Sequence, residues 1–155
     1  MNDAGYRPAA GVMLLNHEGK VWVGQRIDNR LDAWQMPQGG LDEGEDPLAG
    51  ALRELEEETG IARRHVDIVT RAPEELYYDL PPELIGKIWK KNWRGQRQIW
   101  FLARFTGEDD DVNIQTAEPE FRDWKWAEPH DLPGMIVPFK EQLYRDVLKA
   151  FDAWL

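Results

Sequence analysis

One stretch of the chain, Gly39 to Ile61, reads GGLDEGEDPLAGALRELEEETGI and constrains the fold more than any other. Its punctuation predicts a helix from Asp46 to Gly60. Asp46 is a good N-cap, Pro47 suits the first helical position, and Gly60 suits the left-handed residue just past the end. On a wheel of about 100° per residue, Leu48, Ala51, Leu52 and Leu55 fall on one side, the side that packs against a sheet. Glu54, Glu57 and Glu58 are three and four residues apart and share a neighbouring face, so three carboxylates are expected in one patch beside the apolar stripe.

For stability alone this arrangement is poor. Like charges at this spacing cost roughly 0.2–0.5 kcal/mol per pair, and acids in the last turns meet the negative end of the helix dipole. A helix that breaks two stability rules together calls for a functional reason. Clustered hard oxygen ligands on a rigid element supply one, because that is what Mg²⁺ or Mn²⁺ binds. Arg53 is placed to reach Glu57 one turn on and hold it in one orientation. Gly39 and Gly40 predict a turn able to take positive φ and approach a phosphate or metal closely. Glu45, just ahead of the cap, is placed to accept from backbone N–H groups or steady the loop. The competing reading is a solvated acidic helix face.

Composition removes several mechanisms. The 155 residues include neither Cys nor Ser, which excludes disulfides, thiolate metal sites and both cysteine and serine nucleophiles. A hydrolytic reaction in this chain therefore uses water, activated by carboxylates or metal. The net charge of −10 opposes a broad grip on nucleic-acid backbone and argues against DNA. A polyphosphate is still accessible where local cations or bound metal reverse the sign. Met1 to Arg7 is short and polar, without the apolar core of a signal peptide. With no apolar run of membrane-spanning length either, the expectation is a cytoplasmic protein with no membrane partner, most simply a monomer.

Without a linker or repeat, residues 1–155 read as one domain. Strands are expected at Pro8–Leu15 and Val21–Arg26, joined by a turn at Asn16–Gly19, with a short one at Trp34–Met36. After the central helix come strands at Val66–Thr70 and Leu76–Leu80, a basic connection from Leu84 to Arg97, and strands at Gln98–Phe105 and Phe121–Trp126. Glu108–Asp111 reads as an acidic loop. Phe139, Leu143, Val147, Leu148 and Phe151 recur at helical spacing, giving an amphipathic helix from about Pro138 to Trp154. This order predicts an α/β fold with a mixed sheet sandwiched between helices.

The Gly39–Ile61 segment resembles the Nudix box: Gly, five residues, Glu, seven residues, then Arg-Glu-apolar-x-Glu-Glu-x-Gly-apolar. Gly39, Glu45, Arg53, Glu54, Leu55, Glu57, Glu58, Gly60 and Ile61 fill those positions without departure. The resemblance implies an α/β/α Nudix fold and hydrolysis of a nucleoside diphosphate linked to another group, with Mg²⁺ or Mn²⁺, more than one ion, as cofactor. Carried over, it makes Glu54, Glu57 and Glu58 metal ligands, Arg53 the residue orienting Glu57, and Gly39 a carbonyl near the metal. Which glutamate takes the proton of the attacking water stays open. Outside the box, GYRPAAG, WQMPQGG, GQRQIWF and PEFRDWKW resemble bacterial RNA 5′-pyrophosphohydrolases and plant-type diadenosine tetraphosphate hydrolases. Both imply a further metal ligand in the PEF segment, Glu120, with Glu118 as the competing choice.

The same resemblance places Arg26 and Phe139 about a nucleobase, with Tyr78 and Lys140 toward phosphates and Arg7 in the same site; Phe139 reads equally as core. Lys87, Lys90, Lys91, Arg94 and Arg97, interleaved with Trp89 and Trp93 and no acid, suit a polyphosphate carrying a base to stack, Lys87 and Arg94 foremost. A solvated loop balancing acidic neighbours is the other reading. His17, His65 and His130 form no recognisable spacing. The expected function is a pyrophosphohydrolase that removes pyrophosphate from the 5′-triphosphate end of RNA, or cleaves diadenosine tetraphosphate to ATP and AMP. A catalytically silent nucleotide sensor and a house-cleaning nucleoside triphosphate hydrolase are the alternatives.

Overall fold

The structure is a computed structural model that describes residues 5–28 and 32–155. Met1 to Ala4, read above as part of a polar N-terminus, lie outside the described residues. Strands are β1 (Tyr6–Leu15), β2 (Val21–Arg26), β3 (Trp34–Gln35), β4 (Gln38–Gly40), β5 (Val66–Arg71), β6 (Leu76–Asp79), β7 (Gly95–Phe105) and β8 (Phe121–Ala127). The helices are α1 (Pro47–Thr59) and α2 (Glu141–Ala150), with short 3₁₀ turns between elements.

β1 and β7 form the spine. They run parallel from Tyr6 opposite Gly95 to Leu15 opposite Arg104. β2 flanks β1 and carries β3 and β8, while β5 and β6 pair antiparallel with β7. Because successive side chains point to opposite faces, β1 feeds two cores. Ala10, Val12 and Leu14 join Ala51 and Leu55 of α1, while Met13 and Leu15 join Leu143, Tyr144 and Val147 of α2. A sheet apolar on both faces has to be covered on both, and a helix lies on each, the α/β/α arrangement expected. No helix among the described residues is long and apolar enough to cross a membrane.

α1 begins and ends where its caps predict. The Asp46 side chain accepts from the Ala49 N–H, and Gly60 takes φ 74° with its N–H donating to the Glu56 carbonyl. The close of the chain is more broken than its periodicity suggests. Only Glu141–Ala150 is α-helical, between 3₁₀ turns at Pro138–Lys140 and Asp152–Trp154. Pro138 explains the delayed start, since proline is tolerated in a first turn but not inside a helix. β7 starts at Gly95, three residues earlier than expected, so Arg97 belongs to the sheet and not to the basic connection.

A second correction concerns Gly39 and Gly40. They form no positive-φ turn but the strand β4, with Ala9 opposite Gly40 and Ala10 opposite Gly39. Their small size serves close approach. A Cβ on Gly39 would overlap the Glu54 carboxylate, and one on Gly40 would overlap the Arg7 guanidinium. α1 and β1 thus both press functional side chains onto this strand.

The segment leading into β4 is held from the opposite core, where the Met36 N–H donates to the buried Tyr144 hydroxyl at 2.7 Å. Removing that hydroxyl orphans a buried donor. Tyr144→Phe should therefore lose about 1–3 kcal/mol of stability, measured as a lowered urea midpoint at unchanged slope. An unaltered midpoint would show that the Met36 amide finds another partner.

Candidate functional site

Arg53 is the organiser of the site. Its Nε and Nη2 donate to the two Glu45 oxygens at 2.8 and 2.9 Å, a bidentate pair. Nη1 donates to Glu54 at 2.9 Å and to Glu57 Oε2 at 3.2 Å, and Nη2 also reaches the Gly40 carbonyl at 3.2 Å. The expected Arg53–Glu57 contact is present but is the weaker one; the principal anchor is Glu45. Arg53, aided by the Asp42 N–H, lowers the Glu45 carboxyl to about 2, and the glutamates in turn raise the Arg53 pKa.

The glutamates on the wheel are graded by depth. The Glu57 side chain is 58% exposed and Glu54 only 15%. Glu58 is wholly buried, and neither of its oxygens receives a hydrogen bond. Burial pushes its pKa well up, and the facing Glu120 carboxylate pushes it further, followed by Glu54, with Arg26 partly compensating. Burial also raises Glu54, against the opposing pull of Arg53. A dry Glu58 carboxylate facing the half-exposed Glu120 carboxylate needs a proton or a cation between them.

As the side chains stand, no three acids or histidines among the described residues are close enough together to hold one ion. Glu57 is turned outward toward Arg53. The donor set nevertheless fits Mg²⁺ or Mn²⁺: hard oxygens only, with Glu58 unsatisfied. Glu58, Glu54 and Glu120 would hold the ion, with Glu57 turning in to join them and the Gly39 backbone alongside Glu54. Between the two PEF-segment acids, Glu120 is the one facing Glu58. Glu118 is exposed and, with Glu57, Thr116, Ala117 and Glu120, lines an adjoining cavity of about 280 Å³.

Five of the expected substrate-side residues gather next to these acids. The Arg26 guanidinium grips Asp28 through two 2.8 Å bonds and lies 3.8 Å from Glu120. The Lys140 ammonium sits over the Tyr78 ring at 5.0 Å and the Phe139 ring at 6.0 Å. Desolvation lowers Lys140 to about 8, with Arg26 adding to the effect and Glu58 and Asp28 opposing it. Arg7 is near enough for its charge to act on Tyr78, and its guanidinium lies over Trp89 at 5.4 Å. Phe139 packs partly into the α2-side core, and its ring also lies under the Lys140 ammonium.

Lys87 and Arg94 stand apart. Both are exposed on the connection before β7, with Arg94 over the Tyr6 ring at 4.8 Å. Arg97 is paired with Glu75 at 3.3 Å and drops out of the basic cluster. Sequence reading missed Asp28 as the clamp on Arg26, and it missed a buried amide chain. Trp100 Nε1 donates to Gln98, which donates in turn to Gln96 and to Gln38 beside Gly39. The available signal was alternation: Gln96 and Gln98 share a strand face with the apolar Trp100 and Leu102.

The profile described as NUDIX domain matches residues 5–147. The chain belongs to the Nudix family. This Nudix chain is 57% identical over 146 residues to a Sphingopyxis alaskensis protein named RNA pyrophosphohydrolase, covering 94% of this chain and 92% of that one. A protein of the same name from Novosphingobium aromaticivorans is 54% identical, covering 97% and 98%. Among solved structures, a C. elegans Ap4A hydrolase binary complex is similar with a TM-score of 0.67 and 25% identity, covering 96% of this chain and 99% of that one.

Because Glu45 fixes Arg53, and Arg53 in turn holds Glu54 and Glu57, its loss should be felt at the metal site. Glu45→Gln should weaken Mn²⁺ affinity about 10–100-fold, read by titration calorimetry, with a near-normal circular dichroism spectrum. Unchanged affinity would mean that Arg53 does not organise the ligands.

Proposed function

We propose that this Nudix protein is a metal-dependent pyrophosphohydrolase of the cytoplasm, acting as a monomer on the 5′-triphosphate end of RNA. Water attacks the phosphorus, the phosphoanhydride bond breaks, and pyrophosphate leaves behind a 5′-monophosphate RNA. The observation that carries the reading is the Glu58 carboxylate, buried without a hydrogen bond and facing Glu120, beside the Arg7, Arg26 and Lys140 cations. The names of the relatives at 54–57% identity support RNA as the substrate.

Divalent ions bound there would be held by Glu54, Glu57, Glu58 and Glu120, and would supply acidity to the attacking water and neutralise charge on the phosphate. The chain does the rest. Arg53 holds Glu54 and Glu57 in register, and the bare Gly39 and Gly40 backbone leaves room for Glu54 and Arg7. Lys140 and Arg7 face the phosphate oxygens, and an arriving polyanion favours the charged form of Lys140. Arg26, steadied by Asp28, and Phe139 bound the place of the terminal base. One of the three box glutamates receives the proton of the water.

The likeness to an Ap4A hydrolase supports a second reading, cleavage of diadenosine tetraphosphate to ATP and AMP, which needs the same metal cluster and purine clamp. Rates and products with Mg²⁺ on triphosphorylated RNA and on diadenosine tetraphosphate, measured side by side, separate the two. RNA should react faster and yield pyrophosphate; a clear preference for the dinucleotide would reverse the assignment. Glu57→Gln should reduce turnover by orders of magnitude on either substrate. Because Glu57 is exposed, the variant should melt like the wild type. Normal turnover in this variant would contradict the metal site described.

A further inference from the structure

The connection between β6 and β7 holds more positive charge than a terminal triphosphate needs. Residues 84–94 read LIGKIWKKNWR, four cations and no acid, in a chain of net charge −10. Lys87, Lys90, Lys91 and Arg94 are all exposed, and none of the four forms a salt bridge among the described residues. The apolar side chains between them are also exposed, Ile85 at 37% and Ile88 at 49%. Meanwhile Arg26 and Lys140 already stand beside the acids and Arg7 beside Gly40 and Tyr78, so the loop cations are surplus to the phosphates being cut.

The loop is fastened to the site. Its end is stapled to the start of β1, with the Arg94 N–H donating to the Gly5 carbonyl and the Leu80 N–H to the Arg94 carbonyl, each at 2.7 Å. Two residues further along β1, Arg7 lies over Trp89 of the loop at 5.4 Å. Lys91 is held over the Trp93 ring at 5.6 Å. A polyanion that leaves the site on the Arg7 side therefore runs directly onto these cations, with Ile85 and Ile88 offering apolar contact to bases of any identity.

We propose that residues 84–94 are a docking surface for the single-stranded RNA body downstream of the reacting 5′ end, gripping its phosphates without regard to sequence. The inference rests on the RNA reading of the function and deepens it, because only an RNA carries a chain of further phosphates downstream of the reacting end. The grip makes the enzyme sensitive to strand length and salt. Each phosphate neutralised on a single strand steepens the dependence of log affinity on log salt by about 0.7. Two lysines acting on two phosphates are then worth about 10–30-fold in affinity near 0.1 M salt.

The test compares wild type with the Lys90→Ala, Lys91→Ala double variant, whose lysines lie outside the catalytic cluster. kcat/KM is measured on a triphosphorylated dinucleotide, on a triphosphorylated strand of about a dozen nucleotides, and on diadenosine tetraphosphate. Binding of the same strand with a 5′-monophosphate is followed separately by fluorescence anisotropy across a salt series. The wild type should favour the long strand. The variant should lose that preference and about 1.4 from the salt slope, with dinucleotide and diadenosine tetraphosphate rates and melting temperature unchanged. Equal treatment of both lengths by both proteins, with one anisotropy curve, overturns the proposal. Failure of the wild type to hydrolyse any triphosphorylated RNA overturns the functional reading, while lysine-dependent anisotropy would still uphold the docking surface. Lysine-dependent binding to anionic phospholipid vesicles, with RNA binding unaffected, would assign the loop to a membrane surface instead and also overturns it.

Discussion

The rest of the structure is arranged around a carboxylate that folding leaves without a partner. Glu58 is fully buried, both oxygens lack hydrogen-bond donors, and the group it faces, Glu120, carries the same charge. A buried acid in this position is held against its preference for water, and its raised pKa expresses that tension. It survives because α1 is anchored firmly enough to keep it there: capped at both ends and bound to the sheet through Ala51 and Leu55. A divalent cation bound there would turn the same arrangement from a liability into a set of ligands, since the Glu58 oxygens are already stripped of water.

Around that centre, one cation does the work of holding several anions apart. Arg53 connects the loop before α1, the helix face and the β4 backbone by binding Glu45, Glu54, Glu57 and the Gly40 carbonyl together. A lysine could not replace it, because the bidentate pair with Glu45 needs a planar fork. The two glycines of β4 then matter by absence. Any side chain there would displace either Glu54 or Arg7.

Much of this was legible in the residues. Asp46, Pro47 and Gly60 marked both ends of α1, and the alternation along β1 and β7 marked a sheet covered on two faces. The Glu54, Glu57, Glu58 spacing put three acids on one face of α1, the face from which a metal site is proposed. What the residues could not give was depth and long-range pairing. A helical wheel places three glutamates on one face but cannot say that Glu58 is dry and Glu57 wet, because that depends on Glu120, sixty-two positions on. Gly39 and Gly40 suggested a turn, since a glycine pair signals free φ as readily as close packing, and only the opposing Glu54 and Arg7 decide between them. Likewise the pairing of Arg97 with Glu75 is set by the β6–β7 register, which removes one cation from a cluster that looked continuous in sequence.

The proposed chemistry requires a metal cation at the buried acid at the end of α1. The most direct measurement of that requirement is thermal melting of wild type and Glu58→Gln at mildly alkaline pH, each in chelator and then in Mn²⁺. A neutral amide removes the burden of a dry carboxylate, so the variant should melt above the wild type in chelator. Mn²⁺ should raise the wild type and leave the variant where it was. A variant that melts lower than the wild type in chelator, yet gains as much from Mn²⁺, would contradict the account.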